Sequence, residues 1–247
     1  MMRIRGVRKR LGTKQVLDGV DLEIATGETV VIIGRSGTGK SVLLKHIVGL
    51  MIPDEGAIEI DDEDIVGMKE ADLNRIRQRF GMLFQGAALF DSLTVGENVG
   101  LGLREHHRMP EAQIRQRVAE RLEWVGLQGV EDMKPASLSG GMRKRVGLAR
   151  AIAMDPAFIL YDEPTTGLDP IMADVIDQLI RDMQRRLRVT SVVVTHDLSS
   201  AFKVGDRFAM LDQGRIIFEG TPDEMRHTTH PLVRQFMEGT SAGPISV

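Results

Sequence analysis

Three short, mainly apolar runs in the chain each stop at a glycine or at a polar residue. They cover residues 29–33, 158–161 and 191–195, and they stop at Gly34, Asp162 and His196. Apolar runs of this length are typical of strands that are buried on both faces of a parallel sheet. Because ligands bind beyond the carboxyl ends of such strands, we predict that the three run ends meet at one crevice.

The N-terminal part alternates instead between apolar and polar residues. Residues 20–24 show this alternation, and residues 57–60 show it again after Gly56. A period of two is typical of strands with one exposed face. We therefore predict a smaller antiparallel sheet that flanks the parallel one.

The middle third of the chain, from about residue 86 to residue 154, lacks a strand pattern. After Pro110, apolar residues recur at helical spacing at Ile114, Val118, Leu122 and Val125. A proline followed by this spacing is typical of the start of a helix. This part is predicted to be a helical subdomain.

Composition narrows the class of protein. With 247 residues, of which 42% are hydrophobic, the chain can form a large core, and a formal net charge of -3 gives no general attraction for nucleic acid. The absence of cysteine excludes disulfides and thiolate metal sites. No apolar run approaches the roughly 20 residues that span a bilayer, and residues 1–10 lack a signal-peptide core. We therefore expect a soluble, cytosolic protein.

The first run end carries the motif G-x-x-x-x-G-K-[S/T], between a predicted strand and a helical pattern. Backbone N–H groups of such a loop can hold phosphate oxygens, its lysine can reach the β- and γ-phosphates, and its serine can bind magnesium, Mg2+. The alternative, a merely flexible glycine turn, does not explain the flanking strand and helix. The predicted nucleotide-binding residues are Gly34, Arg35, Ser36, Gly37, Thr38, Gly39, Lys40 and Ser41.

The other two run ends carry acids and a histidine. Of Asp162 and Glu163, one carboxylate can bind Mg2+ and its neighbour can polarise an attacking water. His196 can donate a hydrogen bond to a γ-phosphate and hold that water. Taken alone, an acidic pair is also typical of a turn or helix cap, and a single histidine is usually structural. The glycine loop favours the catalytic interpretation, because phosphoryl transfer needs both groups beside it.

A second candidate phosphate site lies at Ser139, Gly140 and Gly141, directly before a helical pattern. A hydroxyl and glycine amides at a helix N-terminus can bind phosphate, although the same residues form ordinary helix caps. One chain with one glycine loop needs no second phosphate site, whereas a symmetric dimer does, since each site can close on the partner's nucleotide. We therefore predict a homodimer.

These motifs, in this order, resemble those of ABC transporter ATPases over residues 3 to about 225. Residues 34–41 match Walker A, residues 138–142 the signature, residues 159–163 Walker B, and His196 the switch histidine. The resemblance implies that Gln85, the Q-loop residue, contacts Mg2+ and the attacking water, and that Asp169 belongs to the D-loop. It also implies that Asp162 holds the metal and that Glu163 is the catalytic base. ATP and Mg2+ are the expected cofactors, with Lys40 completing the catalytic set.

Patterns and resemblance together predict an α/β, P-loop NTPase fold of the ABC ATPase type. It has a mostly parallel core sheet, a flanking antiparallel β subdomain and an inserted helical subdomain. We place the first part of the nucleotide-binding core at residues 1–85 and its second part at residues 156–222. The helical signature subdomain occupies residues 86–155, and a polar tail occupies residues 223–247.

A narrower resemblance is to the ATPases of Mla/Mce lipid-transport systems of double-membraned bacteria, also known from toluene tolerance. It rests on residues 82–90, on Met142 in place of a family glutamine, and on residues 233–239 with Gly243 and Pro244. It implies phospholipid transport between inner and outer membranes, and a peripheral location at the cytoplasmic face of the inner membrane. The implied partners are integral-membrane permease subunits, a lipid-binding Mce-domain subunit and a small accessory subunit, but no nucleic acid.

The chain departs from the family at two positions. Most members stack the adenine on an aromatic residue just before Gly12, where this chain has Leu11, so another contact is expected to hold the base. Met142 removes a polar group that would face the partner's nucleotide.

Residues 86–98, with Leu89, Phe90, Leu93 and Val95, are the candidate docking surface for the membrane subunit; the alternative is core packing.

Phe236 in the tail is predicted to help hold the dimer. The remaining histidines are predicted to be structural or exposed, namely His46, His106, His107, His227 and His230.

Two alternative functions stay open. A small-solute importer ATPase, for amino acids for example, would share all the chemistry. A non-transport ABC ATPase is disfavoured, because the chain has neither a long coiled-coil insertion nor a second ATPase unit. The glycine spacing also excludes a dinucleotide-binding fingerprint.

Overall fold

The computed structural model describes residues 1–106, 109–241 and 243–244, so His107 lies outside the described residues. The strands are β1 (Met2–Leu11), β2 (Lys14–Ile24), β3 (Thr29–Ile33), β4 (Glu55–Ile60), β5 (Glu63–Asp64), β6 (Phe80–Leu83), β7 (Phe158–Asp162), β8 (Thr190–Thr195), β9 (Arg207–Asp212) and β10 (Arg215–Gly220). The α-helices are α1 (Lys40–Ile47), α2 (Glu70–Arg77), α3 (Val95–His106), α4 (Glu111–Trp124), α5 (Gly140–Ala151), α6 (Pro170–Leu187), α7 (Leu198–Val204), α8 (Pro222–His227) and α9 (Pro231–Glu238).

The chain divides into two compact units. The first comprises Met1–Lys69 and Val192–Val247, and the second comprises Glu70–Ser191. The chain therefore leaves the first unit after β5 and returns to it within β8.

In the first unit, an antiparallel sheet has the strand order β2-β1-β4-β5. Met2 pairs with Ile24 of β2 on one side and with Ile60 of β4 on the other. All three side chains are fully buried, because alternate residues of each strand face the same side. The antiparallel sheet predicted from the N-terminal alternation is confirmed.

The first unit also contains a parallel pair. β3 pairs in parallel with β9, from Val30 opposite Arg207 to Ile33 opposite Met210, and β10 is antiparallel to β9. Every residue of β3 is buried, as the uninterrupted apolar run predicts for a central strand. β3 leads directly into the glycine loop and α1.

In the second unit, β6 pairs in parallel with β7, and helices α3, α4 and α5 pack on one another. The predicted apolar face of Ile114, Val118, Leu122 and Val125 is buried, and Pro110 is the N-cap residue of α4. The α/β fold with an inserted helical part is thus confirmed.

The C-terminal residues of the first unit form two short helices. Thr221 caps α8 through a reciprocal capping box with Glu224, and α9 ends at Gly239, which has a left-handed backbone. Ala242 and residues 245–247 of the predicted tail lie outside the described residues. Within the described part of the chain, no helix is both long and apolar enough to cross a membrane.

Candidate functional site

The glycine loop between β3 and α1 is built so that only glycine fits at two positions. Gly34 has φ 152°, and a Cβ atom there would lie 2.3 Å from the carbonyl oxygen of Leu211. Gly39, with φ 105°, would place a Cβ 2.9 Å from the carbonyl oxygen of Val16. The loop therefore lies tightly against the neighbouring backbone, as a phosphate-binding loop requires.

Lys40 is the first residue of α1, and its side chain turns back into this loop. Its Nζ donates hydrogen bonds to the carbonyl oxygens of Gly34 at 2.7 Å and of Arg35 at 2.8 Å. The residue is only 6% exposed, so its ammonium is held at the centre of the loop. A triphosphate bound here would offer the same ammonium charged oxygen acceptors, which bind it more strongly than neutral carbonyls do.

The rest of the loop presents its backbone outward. Arg35, Ser36 and Gly37 are exposed, and the Thr38 hydroxyl donates to the carbonyl oxygen of Arg35 at 2.9 Å. Ser41, the predicted metal ligand, is half-buried in the first turn of α1. A cavity of about 440 Å³ adjoins residues 35–38.

His196 lies in the first unit, directly after β8, and is exposed. The turn that carries it is fixed on its C-terminal side by Asp197, whose carboxylate caps α7 by accepting from the N–H groups of Ser199 and Ser200. The Thr195 hydroxyl accepts from the Asp197 N–H at 3.0 Å. The histidine thus projects from a well-defined strand end.

In the second unit, Asp162 is the last residue of β7 and is half-buried, while Glu163 is buried. Glu163 has φ 49°, a left-handed conformation that is strained for a residue with a long side chain. One of its carboxylate oxygens accepts from the Thr166 hydroxyl at 3.1 Å. Backbone strain of this kind clusters at functional sites, where the surrounding structure holds it.

A buried lysine on α5 connects the two predicted catalytic segments of the second unit. Lys144 is 5% exposed, and its Nζ donates to the carbonyl oxygens of Gln85 and Glu163, the second at 3.0 Å. Burial lowers the pKa of Lys144, whereas the carboxylates of Asp162 and Glu163 act to raise it. Lys144 was missed at the sequence level, although it shares a helix face with the buried residues Gly141 and Leu148.

Gln85 is exposed after β6, and the turn that follows it is held by another α5 side chain. Ala87 and Ala88 have positive φ values of 60° and 47°. Their carbonyl oxygens accept from the guanidinium of Arg150 at 2.7 and 2.6 Å. Arg150 was also missed, because its partners lie about sixty residues away in the sequence.

Ser139 caps α5, and its hydroxyl oxygen accepts from the Met142 N–H at 3.2 Å. Gly140 leaves space beside it, whereas a Cβ at Gly141 would lie 2.6 Å from the Met172 side chain on α6. The helix cap, which was one interpretation of these residues, is therefore present. A cap at a helix N-terminus remains compatible with phosphate binding, since other first-turn N–H groups stay available.

Asp169 caps α6 in the same way. Its carboxylate accepts from the N–H groups of Ile171 at 3.0 Å and Met172 at 3.1 Å, and Pro170 occupies the first helical position. Ile171 beside it is 78% exposed. The predicted D-loop thus leads into a capped helix whose first turn carries the exposed Ile171.

The predicted docking surface divides into core and exposed residues. Val95 is fully buried, whereas Phe90 is 54% exposed. The buried amide of Asn98 fixes the loop between them, because its Oδ1 accepts from the Phe90 N–H at 2.8 Å and its Nδ2 donates to the Thr94 carbonyl at 2.9 Å. Phe90 is therefore held outward by a rigid loop.

The structure thus brings predicted residues together within each unit. The first unit joins the glycine loop, Lys40 and Ser41, and it carries His196. The second unit ties the backbones of Gln85 and Glu163 together through Lys144. The single crevice predicted to join all three run ends stays a prediction.

Comparison with known proteins shows which family the chain belongs to. The family model described as ABC transporter matches residues 17–166. The chain is 42% identical over 244 residues to the probable ribonucleotide transport ATP-binding protein mkl of Mycobacterium leprae, covering 99% of this chain and 70% of that protein. It is 39% identical over 245 residues to the intermembrane phospholipid transport system ATP-binding protein MlaF of Haemophilus influenzae, covering 99% and 93%.

A solved structure agrees with the sequence relatives. The dimeric post-hydrolysis state of the ATP-binding cassette MJ0796, bound to ADP and Pi, matches with a TM-score of 0.83 and 36% identity. The match covers 90% of this chain and 98% of that chain. The chain belongs to the ABC transporter family of ATP-binding proteins.

Proposed function

We propose that this chain is the ATP-hydrolysing subunit of a transporter that moves phospholipid between the inner and outer membranes. The observation that carries the proposal is the glycine loop, where Gly34 and Gly39 admit no side chain and Lys40 is buried among backbone carbonyls. A loop of this form binds a triphosphate through backbone N–H groups and one ammonium.

Glu163 is proposed to act as the catalytic base and His196 to orient the attacking water. Support comes from the strained backbone of Glu163 and from the buried Lys144, whose ammonium donates to the Glu163 carbonyl oxygen. Both fix the backbone that carries the carboxylate. A positioned carboxylate can accept a proton from water while the γ-phosphoryl group is transferred.

Ser41, Gln85 and Asp162 are proposed to hold Mg2+. They offer a hydroxyl, an amide and one carboxylate, and hard oxygen ligands of this kind suit the ion, with phosphate oxygens completing its shell. The described residues contain no cluster of three His, Cys, Asp or Glu side chains placed to hold a metal. When bound, Mg2+ neutralises charge on the β- and γ-phosphates.

The working form is proposed to be a homodimer in which Ser139, Gly140 and Gly141 of one subunit close on the nucleotide of the other. Phe90 is proposed to bind the integral-membrane permease, placing the chain at the cytoplasmic face of the inner membrane. An Mce-domain lipid-binding subunit and a small accessory subunit are further proposed partners.

Phospholipid is favoured as the cargo because the MlaF relative, which covers nearly the whole chain, is named for intermembrane phospholipid transport. The second candidate cargo is a ribonucleotide, favoured by the name of the mkl relative.

The test is purification of the complex from detergent extracts of the native membrane, followed by mass spectrometry of bound proteins and lipids. Co-purification of a permease with phospholipid, together with phospholipid-stimulated ATP hydrolysis, is the expected result. A complex that lacks lipid and whose ATP hydrolysis responds to a soluble ribonucleotide would contradict the lipid proposal. If neither the purified chain nor the purified complex hydrolyses ATP, the ATPase proposal is contradicted.

A further inference from the structure

All described residues that line the cavity beside the glycine loop belong to the first unit. Its volume of about 440 Å³ lies within the range of roughly 300–1,000 Å³ that is typical of small-ligand pockets. Its described lining comes from residues 14–16 of β2, residues 35–38 of the loop and residues 212–214 at the turn from β9 to β10. Leu232 of α9 and the C-terminal Pro244 complete this described lining.

The turn between β9 and β10 is fixed against β2. Gly214 has φ 78°, and a Cβ there would lie 2.9 Å from the Val16 carbonyl oxygen. The Gly214 carbonyl in turn accepts from the Asp18 N–H at 2.8 Å. This part of the lining is therefore preformed.

The C-terminal segment is held at the cavity by its own contacts. Val233 of α9 is fully buried, which fixes the helix in the first unit. The chain turns back at Gly239, where φ is 62°, and the buried Gln235 then donates from Nε2 to the Thr240 carbonyl at 3.2 Å. Gly243 approaches the same glutamine so closely that a Cβ would lie 2.4 Å from its amide carbon. Pro244 reaches the cavity directly after this contact.

The lining differs in chemistry from one segment to the next. The glycine loop offers backbone N–H groups suited to phosphate, whereas Val16, Leu232 and Pro244 offer only apolar surface. Of the parts of a nucleoside triphosphate, only the base has flat, uncharged faces that gain from apolar contact.

We propose that Leu232 and Pro244 contact the base of the bound nucleotide and contribute to its affinity. The proposal rests on the proposed function, since it assumes that the glycine loop holds the triphosphate. In this proposal, Leu232 and Pro244 take the place of the aromatic residue that most family members have at the position of Leu11. Leu11 is 42% exposed and is absent from the cavity lining formed by the described residues, so the C-terminal segment supplies apolar contact that Leu11 does not.

The experiment compares two probes, ATP and inorganic tripolyphosphate, binding to the full chain. The double variant Leu232→Ala with Pro244→Ala removes apolar surface from the cavity. We expect it to bind ATP about five- to tenfold more weakly, while its affinity for tripolyphosphate changes by less than about twofold. Met237→Ala is the matched control, because Met237 is a half-buried apolar residue of the same helix outside the cavity lining.

A second variant keeps the test valid if the substitutions disturb α9. A chain that ends at Ser241 retains α9 and the Gln235 contact to Thr240, but lacks Pro244. It is expected to weaken ATP binding about two- to threefold, again without affecting tripolyphosphate. Equal losses for both probes, or no loss in either variant, would overturn the proposal.

The Lys40→Ala variant separates this proposal from the one on which it rests. Lys40→Ala should weaken binding of both probes. If it leaves tripolyphosphate binding unchanged, the proposed function fails. If Lys40→Ala behaves as expected but the Leu232 and Pro244 variants match the Met237→Ala control, only the inference about the base fails.

Discussion

The two units use the same device at their predicted catalytic segments, a buried lysine that donates to two backbone carbonyls. Lys40 of the first unit bonds to Gly34 and Arg35, which lie within its own motif. Lys144 of the second unit bonds to Gln85 and Glu163, which are 59 and 19 residues away in the sequence. The first lysine lies in a loop suited to phosphate, whereas the second joins two segments to each other. We therefore expect Lys40 to control binding and Lys144 to control the geometry of hydrolysis.

The largest expected effect comes from replacing Glu163, whose backbone carbonyl accepts from Lys144. Glu163→Gln removes the proposed base but keeps the shape of the side chain, so kcat for ATP hydrolysis should fall about 10²- to 10⁴-fold. ATP affinity should change by less than about twofold. Single-turnover hydrolysis and equilibrium binding measure the two quantities, with Glu105→Gln, an exposed acid of the same unit, as control. Unchanged turnover in Glu163→Gln would show that another group is the base.

Lys40→Ala is expected to have the next largest effect, and on affinity. Loss of a charge-assisted interaction of about 2–3 kcal/mol corresponds to roughly 30- to 150-fold weaker ATP binding. Calorimetric titration measures it, and Lys45→Ala on the exposed side of α1 is the control. Equal affinities in the two variants would place the phosphates away from the glycine loop.

Lys144→Met tests the other half of the comparison. The variant keeps the apolar part of the side chain but loses the ammonium. The hydrogen bonds to the carbonyl oxygens of Gln85 and Glu163 are therefore lost. Because small misplacements of catalytic groups are costly, kcat should fall roughly tenfold while KM changes by less than about twofold. Steady-state kinetics of this variant are compared with those of Lys134→Met, an exposed lysine of the same unit. A rise in KM with unchanged kcat would assign Lys144 to binding instead.

The smallest expected effect concerns the helix that carries Lys40. His46 of α1 is fully buried, and burial lowers its pKa, while the hydrogen bond to the Val42 carbonyl acts to raise it. Below its ordinary pKa of about 6.5, the unfolded chain binds the proton more readily than the folded chain does. The stability contributed by neutral His46 is therefore complete above that pH and is lost as the pH falls, by at most about 1.4 kcal/mol per pH unit.

Urea unfolding at pH 7.5 and 5.5 measures this dependence. His46→Leu should be less sensitive to acid than the parent chain, whereas His227→Leu, which alters an exposed histidine, should retain the parent's sensitivity. An identical loss of stability in His46→Leu and the parent would assign the acid sensitivity to other groups.

Much of the first unit's loop could be predicted from the sequence because its determinants are local. The spacing of Gly34, Gly39 and Lys40 in one short segment fixes loop, helix and buried ammonium together. The apolar run of β3 and the face of α4 that contains Ile114 were equally visible, since periodicity follows directly from local geometry. The flanking sheet was predicted from the alternation at residues 20–24 and 57–60, and the family from the order of the four motifs.

The supports of the second unit could not be predicted in the same way. Arg150, Lys144 and Asn98 act on backbone carbonyls that sequence pattern does not pair with them, and such contacts depend on how helices pack. The left-handed backbone of Glu163 has no signal in residue type, since glutamate seldom adopts it. The approach of Pro244 to the loop cavity depends on the turn at Gly239 and on the contacts of Gln235, and the tail pattern that contains them did not predict that approach.

The clamp of Arg150 on Ala87 and Ala88 has a mechanical consequence. Arg150 belongs to the last turn of α5, and Ser139 caps the first turn of the same helix, about 16.5 Å away at 1.5 Å per residue. We therefore expect a displacement of the segment that contains Phe90 to act on the C-terminal end of α5, whose N-terminal end carries Ser139, the predicted signature serine. We expect α5 to couple the binding of cargo by the membrane partner to the contact between Ser139 and the nucleotide.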